Sequence, residues 1–250
     1  MDTRFWGPSG WRLLHLLTFQ YNPTTQKYAM RRFLETLPYI LPCKFCRASL
    51  TDYYAELPFV PALESQDALC RWLYAIHSKV NQKLKSQGLT TTPDPTFASV
   101  ERYYRTWIHD GASPATVGWD FLFAVAYNHP KEAARQSSPM PECPPRAKTC
   151  KSIRVRNKWN TLPLRPRLHW YRRFWDSLPA VLGPDWRNAC DKVDCRIACR
   201  KSTLAWLWRM RCALDTTFHD PYRAVCQRIA MYSSGCGKAR KGVTCRKQRK

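Results

Sequence analysis

Eleven residues of this chain occur twice. Arg31-Arg32-Phe33-Leu34-Glu35-Thr36-Leu37-Pro38-Tyr39-Ile40-Leu41 returns 141 positions later as Arg172-Arg173-Phe174-Trp175-Asp176-Ser177-Leu178-Pro179-Ala180-Val181-Leu182, with six of eleven residues identical. Two flanking segments correspond in the same order. Gly10-Trp11-Arg12-Leu13-Leu14-His15 pairs with Gly118-Trp119-Asp120-Phe121-Leu122-Phe123, and Leu69–Tyr74 pairs less closely with Leu204–Trp208, Trp72 set over Trp206. Three ordered matches predict one structural unit used twice; the alternative is chance likeness between amphipathic helices. In this alignment Pro184 and Arg187 stand at Cys43 and Cys46, Phe123 at His15 and Arg211 at His77. The second copy keeps a fold and loses a chemistry.

The repeated unit reads as helical. Leu69, Trp72, Leu73, Ile76, His77, Val80 and Leu84 recur at i, i+3, i+4, i+7, and Ser65 precedes them as a cap. Earlier helices are expected over Trp11–Tyr21, Thr25–Leu37 and Cys43–Leu57, with Pro38 and Pro42 interrupting the chain between the last two. A short fifth helix is expected over Phe97–Trp107, and strand patterns are poor throughout. The predicted fold class is all-α: a four-helix bundle plus a short fifth helix, followed by a second, degenerate helical copy.

Charge divides the chain at the same place. Residues 1–110 carry 13 Lys+Arg and 9 Asp+Glu, whereas residues 111–250 carry 28 and 9, a net of +19 in a total of +23. Gly111-Ala112-Ser113-Pro114 is a turn-rich break. The expected domains are residues 1–110, a basic Cys-rich repeat at 112–232, and a mobile basic tail at 233–250, with a further loop over Ser137–Lys151. No apolar run approaches the ~18 residues that cross a bilayer. The opening residues lack a signal-peptide layout, so the expectation is a soluble cytoplasmic protein.

Twelve cysteines need a reason, since cytosolic proteins rarely keep many structural disulfides. Pro42-Cys43-Lys44-Phe45-Cys46 is the only CxxC. At a helix start beside Lys44, such a pair can form and reopen a disulfide, with one sulfur attacking and the other resolving. The same spacing is half of a zinc site, to which Cys195 and Cys199 or a histidine could contribute, or it is inert. His77 and Asn81 place polar groups on an apolar stripe and require partners, which a cofactor or the backbone could supply. His15 is a second histidine on an inward face, and Trp11 and Trp72 supply flat walls.

Trp6-Gly7-x3-Trp11-x2-Leu14-His15, Pro42-Cys43-x2-Cys46 and Trp72-Leu73-x3-His77-x2-Val80-Asn81-x-Lys83-Leu84, in this order, resemble the Erv/ALR family of FAD-linked sulfhydryl oxidases over residues 5–107. Basic, Cys-rich extensions of this kind resemble members from large DNA viruses, and the degenerate copy is similar to paired domains in which one has lost its flavin. The resemblance implies that Cys46 lies against the flavin ring as the charge-transfer thiolate and that Cys43 is the outer sulfur meeting substrate. It implies FAD held by Gly7, Trp11 and His15 from the first helix and by His77, Val80, Asn81 and Lys83 from the fourth, with Lys83 near the phosphate or ribose end and Tyr103 near the adenine. No metal is implied. The implied partners are reduced dithiol proteins, with O2 as acceptor and H2O2 as product, in the cytoplasm, or in the host cytoplasm or virion for a viral protein.

This chain departs from the family in three places. Ser78 follows the histidine where Asn is common. Tyr74 takes one position of a common structural disulfide, with no cysteine near residue 98. Cys236 and Cys245 in the tail form no CxxC. The second half reads as a built-in dimerisation partner, in place of a homodimer, or as a docking surface for acidic clients. Its cysteines read as buried thiols or disulfides, with Cys190, Cys195 and Cys199 close enough for a local bridge. Two rival readings are a basic nucleic-acid-binding protein, which is not favoured because no recognised motif accompanies the charge, and a zinc-stabilised structural module.

Overall fold

The computed structural model describes residues 1–131, 162–195 and 197–233; the Ser137–Lys151 loop and all of the tail beyond Ser233 lie outside them. The described residues are helical, with no strand. The first half contains α1 (Thr3–Phe19), α2 (Pro23–Ile40), α3 (Lys44–Glu56), α4 (Gln66–Ser86) and α5 (Phe97–His109). The second half contains α6 (Trp119–Asn128), α7 (Leu164–Leu182), α8 (Pro184–Lys192), α9 (Arg200–Leu214) and α10 (Tyr222–Met231). No helix among these residues is long and apolar enough to cross a membrane.

Side-chain caps start each helix of the first half. The carboxylate of Asp2 accepts the Arg4 N–H at 2.9 Å, and the Asn22 amide oxygen accepts the Thr24 N–H at 2.9 Å ahead of Pro23. Ser65 Oγ accepts the Ala68 N–H at 3.1 Å and Thr96 Oγ1 accepts the Ser99 N–H at 3.2 Å. α4 follows its sequence pattern: Leu69, Trp72, Leu73 and Ile76 are buried, and Lys83 and Lys85 lie in its last turn, where the helix dipole favours cations.

Two expectations about boundaries change. α1 begins eight residues earlier than Trp11, at Thr3, with Pro8 inside it. α2 does not stop at Pro38 but runs through it to Ile40. Pro38 has no N–H for the Leu34 carbonyl, and the Tyr54 hydroxyl from α3 donates to that carbonyl instead, at 3.1 Å. The helix therefore continues without a buried orphan acceptor.

One apolar core runs through both halves. α2 lies along α7: the Phe33 and Phe174 rings are 5.7 Å apart, Tyr39 stacks on Trp170 at 3.8 Å, and Arg173 pairs with Glu35. α1 lies along α6, where a Cβ on Gly10 would stand 3.2 Å from the Phe121 ring. Gly118, with φ +81°, enters α6 so close to α1 that a Cβ there would be 2.7 Å from Leu13. α5 buries only Tyr104 fully and packs beside α1, closing a smaller cluster with Leu16, Phe19 and Cys70.

Candidate active site

The CxxC occupies the start of α3, and the helix itself orients both sulfurs. Cys43 is the N-cap, its Sγ accepting the Cys46 N–H at 3.2 Å. That sulfur lies where unpaired backbone N–H groups favour a thiolate. Cys46 sits in the first turn, half-buried, while Cys43 is 1% exposed. The burial runs against the expectation that Cys43 is the outer sulfur. The Met1 ammonium donates to the Pro42 carbonyl at 2.9 Å, so the start of the chain packs over the turn that leads into Cys43. The Lys44 ammonium lies 5.0 Å from the centre of the Phe45 ring.

Cys43 and Cys46 both line a cavity of about 560 Å³ between α1, α3 and α4. From α1 come Gly7, Trp11 and Leu14; from α4 come Trp72, His77, Val80, Asn81 and Lys83. A second cavity of about 360 Å³ lies between α4, the 87–96 connection and α5, and it contains His15 and Tyr103. His77, Asn81 and Tyr104 line both, so the two spaces adjoin. Cys43, Cys46 and the residues that the resemblance implies for the flavin thus lie on one or the other wall. Lys83 donates to Ser49 Oγ at 2.6 Å, which holds its ammonium against α3, one turn beyond Cys46.

The histidines form a pair. His15 Nε2 and His77 Nδ1 are 3.1 Å apart, and Trp11 stacks on the His77 ring at 3.8 Å. Burial lowers the His15 pKa to about 3, with His77 adding to the shift. Burial also lowers that of His77 to about 4, opposed by Asp94. Both rings are therefore neutral at physiological pH, one nitrogen of the pair donating to the other. His15 is 2% exposed and its Nδ1 has no hydrogen-bond partner among the described residues. A buried ring nitrogen left this way suits a bound group with its own polar edge.

Several wall residues escaped the sequence reading. Ser49, Leu50 and Tyr53 follow Cys46 at three, four and seven residues, on the same face of α3, and line the larger cavity. Tyr104, 8% exposed, faces both cavities, whereas Tyr103 is 55% exposed at the rim of the smaller one. Helical spacing from Phe97 and Val100 points to Tyr104 and was the available signal. Cys70 is not reactive: it is buried against α1 and α5, and burial raises its pKa to about 11. Cys190 is likewise raised to about 11 by burial. No three His, Cys, Asp or Glu among the described residues gather to hold a metal.

Residues 8–104 match the Erv1 / Alr family. The Saccharomyces cerevisiae protein named mitochondrial FAD-linked sulfhydryl oxidase ERV1 is 38% identical over 87 residues, which are 34% of this chain and 45% of that protein. A probable FAD-linked sulfhydryl oxidase, R368, of Acanthamoeba polyphaga mimivirus is 32% identical over 94 residues, 36% of this chain and 66% of the viral one. A putative FAD-linked sulfhydryl oxidase, 096R, of Invertebrate iridescent virus 3 is 26% identical over 92 residues, 36% and 62% of the two chains. This chain spans about half the length of its yeast relatives, 45% and 44%. No solved structure matches it. The segment that matches the Erv1 / Alr family contains Cys43, Cys46, the histidine pair and nearly all of α1 through α4.

Proposed function

We propose that the chain is an FAD-dependent thiol oxidase that makes disulfides in reduced dithiol proteins. The observation that carries this reading is that both residues of the only CxxC line the same cavity as Trp11, His77 and Asn81. The wall suits a flavin dinucleotide: flat aromatic rings, a neutral histidine pair with one unpartnered nitrogen, and an adjoining cavity closed by Tyr104. Gly7, Trp11 and His15 would hold it from α1, and His77, Val80, Asn81 and Lys83 from α4, with Tyr103 at the rim.

A substrate thiolate attacks the Cys43–Cys46 disulfide at Cys43, forming a mixed disulfide and releasing Cys46 as thiolate. The second substrate thiol displaces Cys43, and the substrate leaves oxidised with Cys43 and Cys46 both reduced. Cys43 is the N-cap of α3 and 1% exposed, so this attack requires it to become accessible to substrate. When bound, FAD supplies the two-electron acceptor that restores the Cys43–Cys46 disulfide, with O2 as the final acceptor and H2O2 as product. The names of the yeast relatives place those proteins in mitochondria; for this chain we propose the cytoplasm, or the virion if the source is viral.

We read residues 112–232 as the degenerate second copy, packed on residues 1–110 as an internal pseudo-dimer. Reciprocal contacts support this. Gly10 approaches Phe121 while its counterpart Gly118 approaches Leu13, the counterpart of Phe121. Phe33 stacks on Phe174, its own counterpart. Contacts of the form i to j and j to i, with a residue meeting itself, are those of a two-fold interface. Where the first copy stacks Trp11 on His77, the second sets the Arg211 guanidinium 5.6 Å over Trp119. Trp175 and Trp186 pack edge-on against Trp206, the counterpart of Trp72, and each of the three is 2% exposed or less.

The test is Cys46→Ser. The variant is expected to purify with flavin bound and to oxidise dithiols at less than about 1% of the wild-type rate, the size of effect for losing a group that acts only in the chemistry. Oxidation at the wild-type rate would remove Cys46 from the mechanism. Salt-sensitive nucleic-acid binding or stoichiometric zinc, in a protein without visible absorbance, would favour the two rival readings instead.

A further inference from the structure

The connection between α4 and α5 carries one carboxylate whose geometry has a consequence for the cavity wall. Asp94 Oδ1 accepts from Asn81 Nδ2 at 2.9 Å, and Asp94 Oδ2 lies 3.1 Å from Lys85 Nζ. Asp94 and Asn81 both line the smaller cavity, and Asn81 lines the larger one as well. The segment that carries Asp94 is anchored next to it, where the Tyr74 hydroxyl donates to the Pro95 carbonyl at 2.8 Å and the Phe97 ring stands edge-on to Tyr74.

A carboxamide has two ends of nearly equal size and opposite hydrogen-bonding character. An ionised carboxylate only accepts, so Asp94 admits only the NH2 end of Asn81. The amide oxygen is then the end offered to the cavities. We propose that Asp94 is a positioning residue: it fixes the Asn81 side chain in one of its two flip states and so makes this point of the wall a hydrogen-bond acceptor, selecting a ligand that presents an N–H or O–H there. This rests on the reading of the cavities as a dinucleotide site and assigns to Asp94 a role that neither the sequence motifs nor the cavity lining assigned.

The discriminating substitution is Asp94→Asn. Two facing amides still hydrogen-bond, so the tether between α4 and the 87–96 connection survives, but either amide can flip. Apo-protein is titrated with FAD and the quenching of flavin fluorescence gives the dissociation constant; melting of the apo-protein is recorded in parallel. D94N is expected to weaken FAD binding about tenfold or more, as an unmatched buried polar contact does, with the apo-protein melting within a few degrees of wild type. The swapped pair N81D/D94N again puts a sole acceptor on the cavity side, now held by the amide at position 94, and is expected to bind FAD more tightly than D94N alone. Lys85→Ala removes the ion pair without freeing the amide and is expected to leave the constant within twofold. FAD binding by D94N within twofold of wild type, or a swapped pair no tighter than D94N, would overturn the assignment. Wild-type protein that takes up no FAD would instead overturn the dinucleotide site itself.

Discussion

Burial holds His15 and His77 uncharged, with His77 adding to the shift of His15, and this ties the site to pH. Their pKa values, about 3 and about 4, lie below the ordinary histidine value of 6.5. Between those limits the unfolded chain binds protons that the folded chain refuses, so stability is complete above about pH 6.5 and falls as pH drops through about 4. Each histidine contributes a slope of about 1.4 kcal/mol per pH unit at most in that window. Urea midpoints of the apo-protein are expected to fall from about pH 6.5 toward pH 4.5, and His15→Gln is expected to flatten the fall by about half. A midpoint that does not move over this range would contradict the buried neutral pair. The histidines, the CxxC and Asn81 were legible in sequence because polar residues on an apolar stripe stand out. Tyr104 was not, because Tyr103 and Tyr104 are chemically alike and only the phase of α5 separates them. The burial of Cys43 was not legible either, because Cys43 joins a core built from both halves of the chain.

Among the helices, α2 carries the clearest departure from its local sequence signals. A proline near its end predicted a stop, yet the helix continues because a hydroxyl from α3 takes over the missing hydrogen bond at Leu34. Local rules could not anticipate a donor 20 residues away. Tyr54→Phe is expected to destabilise the protein by about 1 kcal/mol in urea unfolding. In a Pro38→Ala background, where the backbone N–H is restored, the same change is expected to cost measurably less. Equal costs in both backgrounds would separate the hydroxyl from the proline. α4, by contrast, follows its sequence closely from the Ser65 cap to the last-turn lysines, since cap, stripe and dipole all favour the same element.

Across the whole molecule, the repeat and the charge asymmetry both divide the chain near Gly111, yet the core does not divide there. The apolar faces of α1 and α2 are covered by α6 and α7 of the same chain. The repeat announced the second unit in the sequence. A built-in partner for the first half was readable in the sequence, but which helices meet was not, because amphipathic stripes say what is buried and not by which partner. In the second half Trp175, Trp186 and Trp206 are buried against one another and the Arg211 guanidinium lies over Trp119.

The central claim is that the sulfurs of Cys43 and Cys46 share a wall with a flavin. It is tested most directly by the visible absorption spectrum of the full chain, purified and, where needed, reconstituted with FAD, with flavin and protein quantified on the same sample. The expected result is a flavin spectrum at one equivalent per chain that bleaches when a dithiol is added under anaerobic conditions. A folded protein that stays colourless after reconstitution would contradict the account.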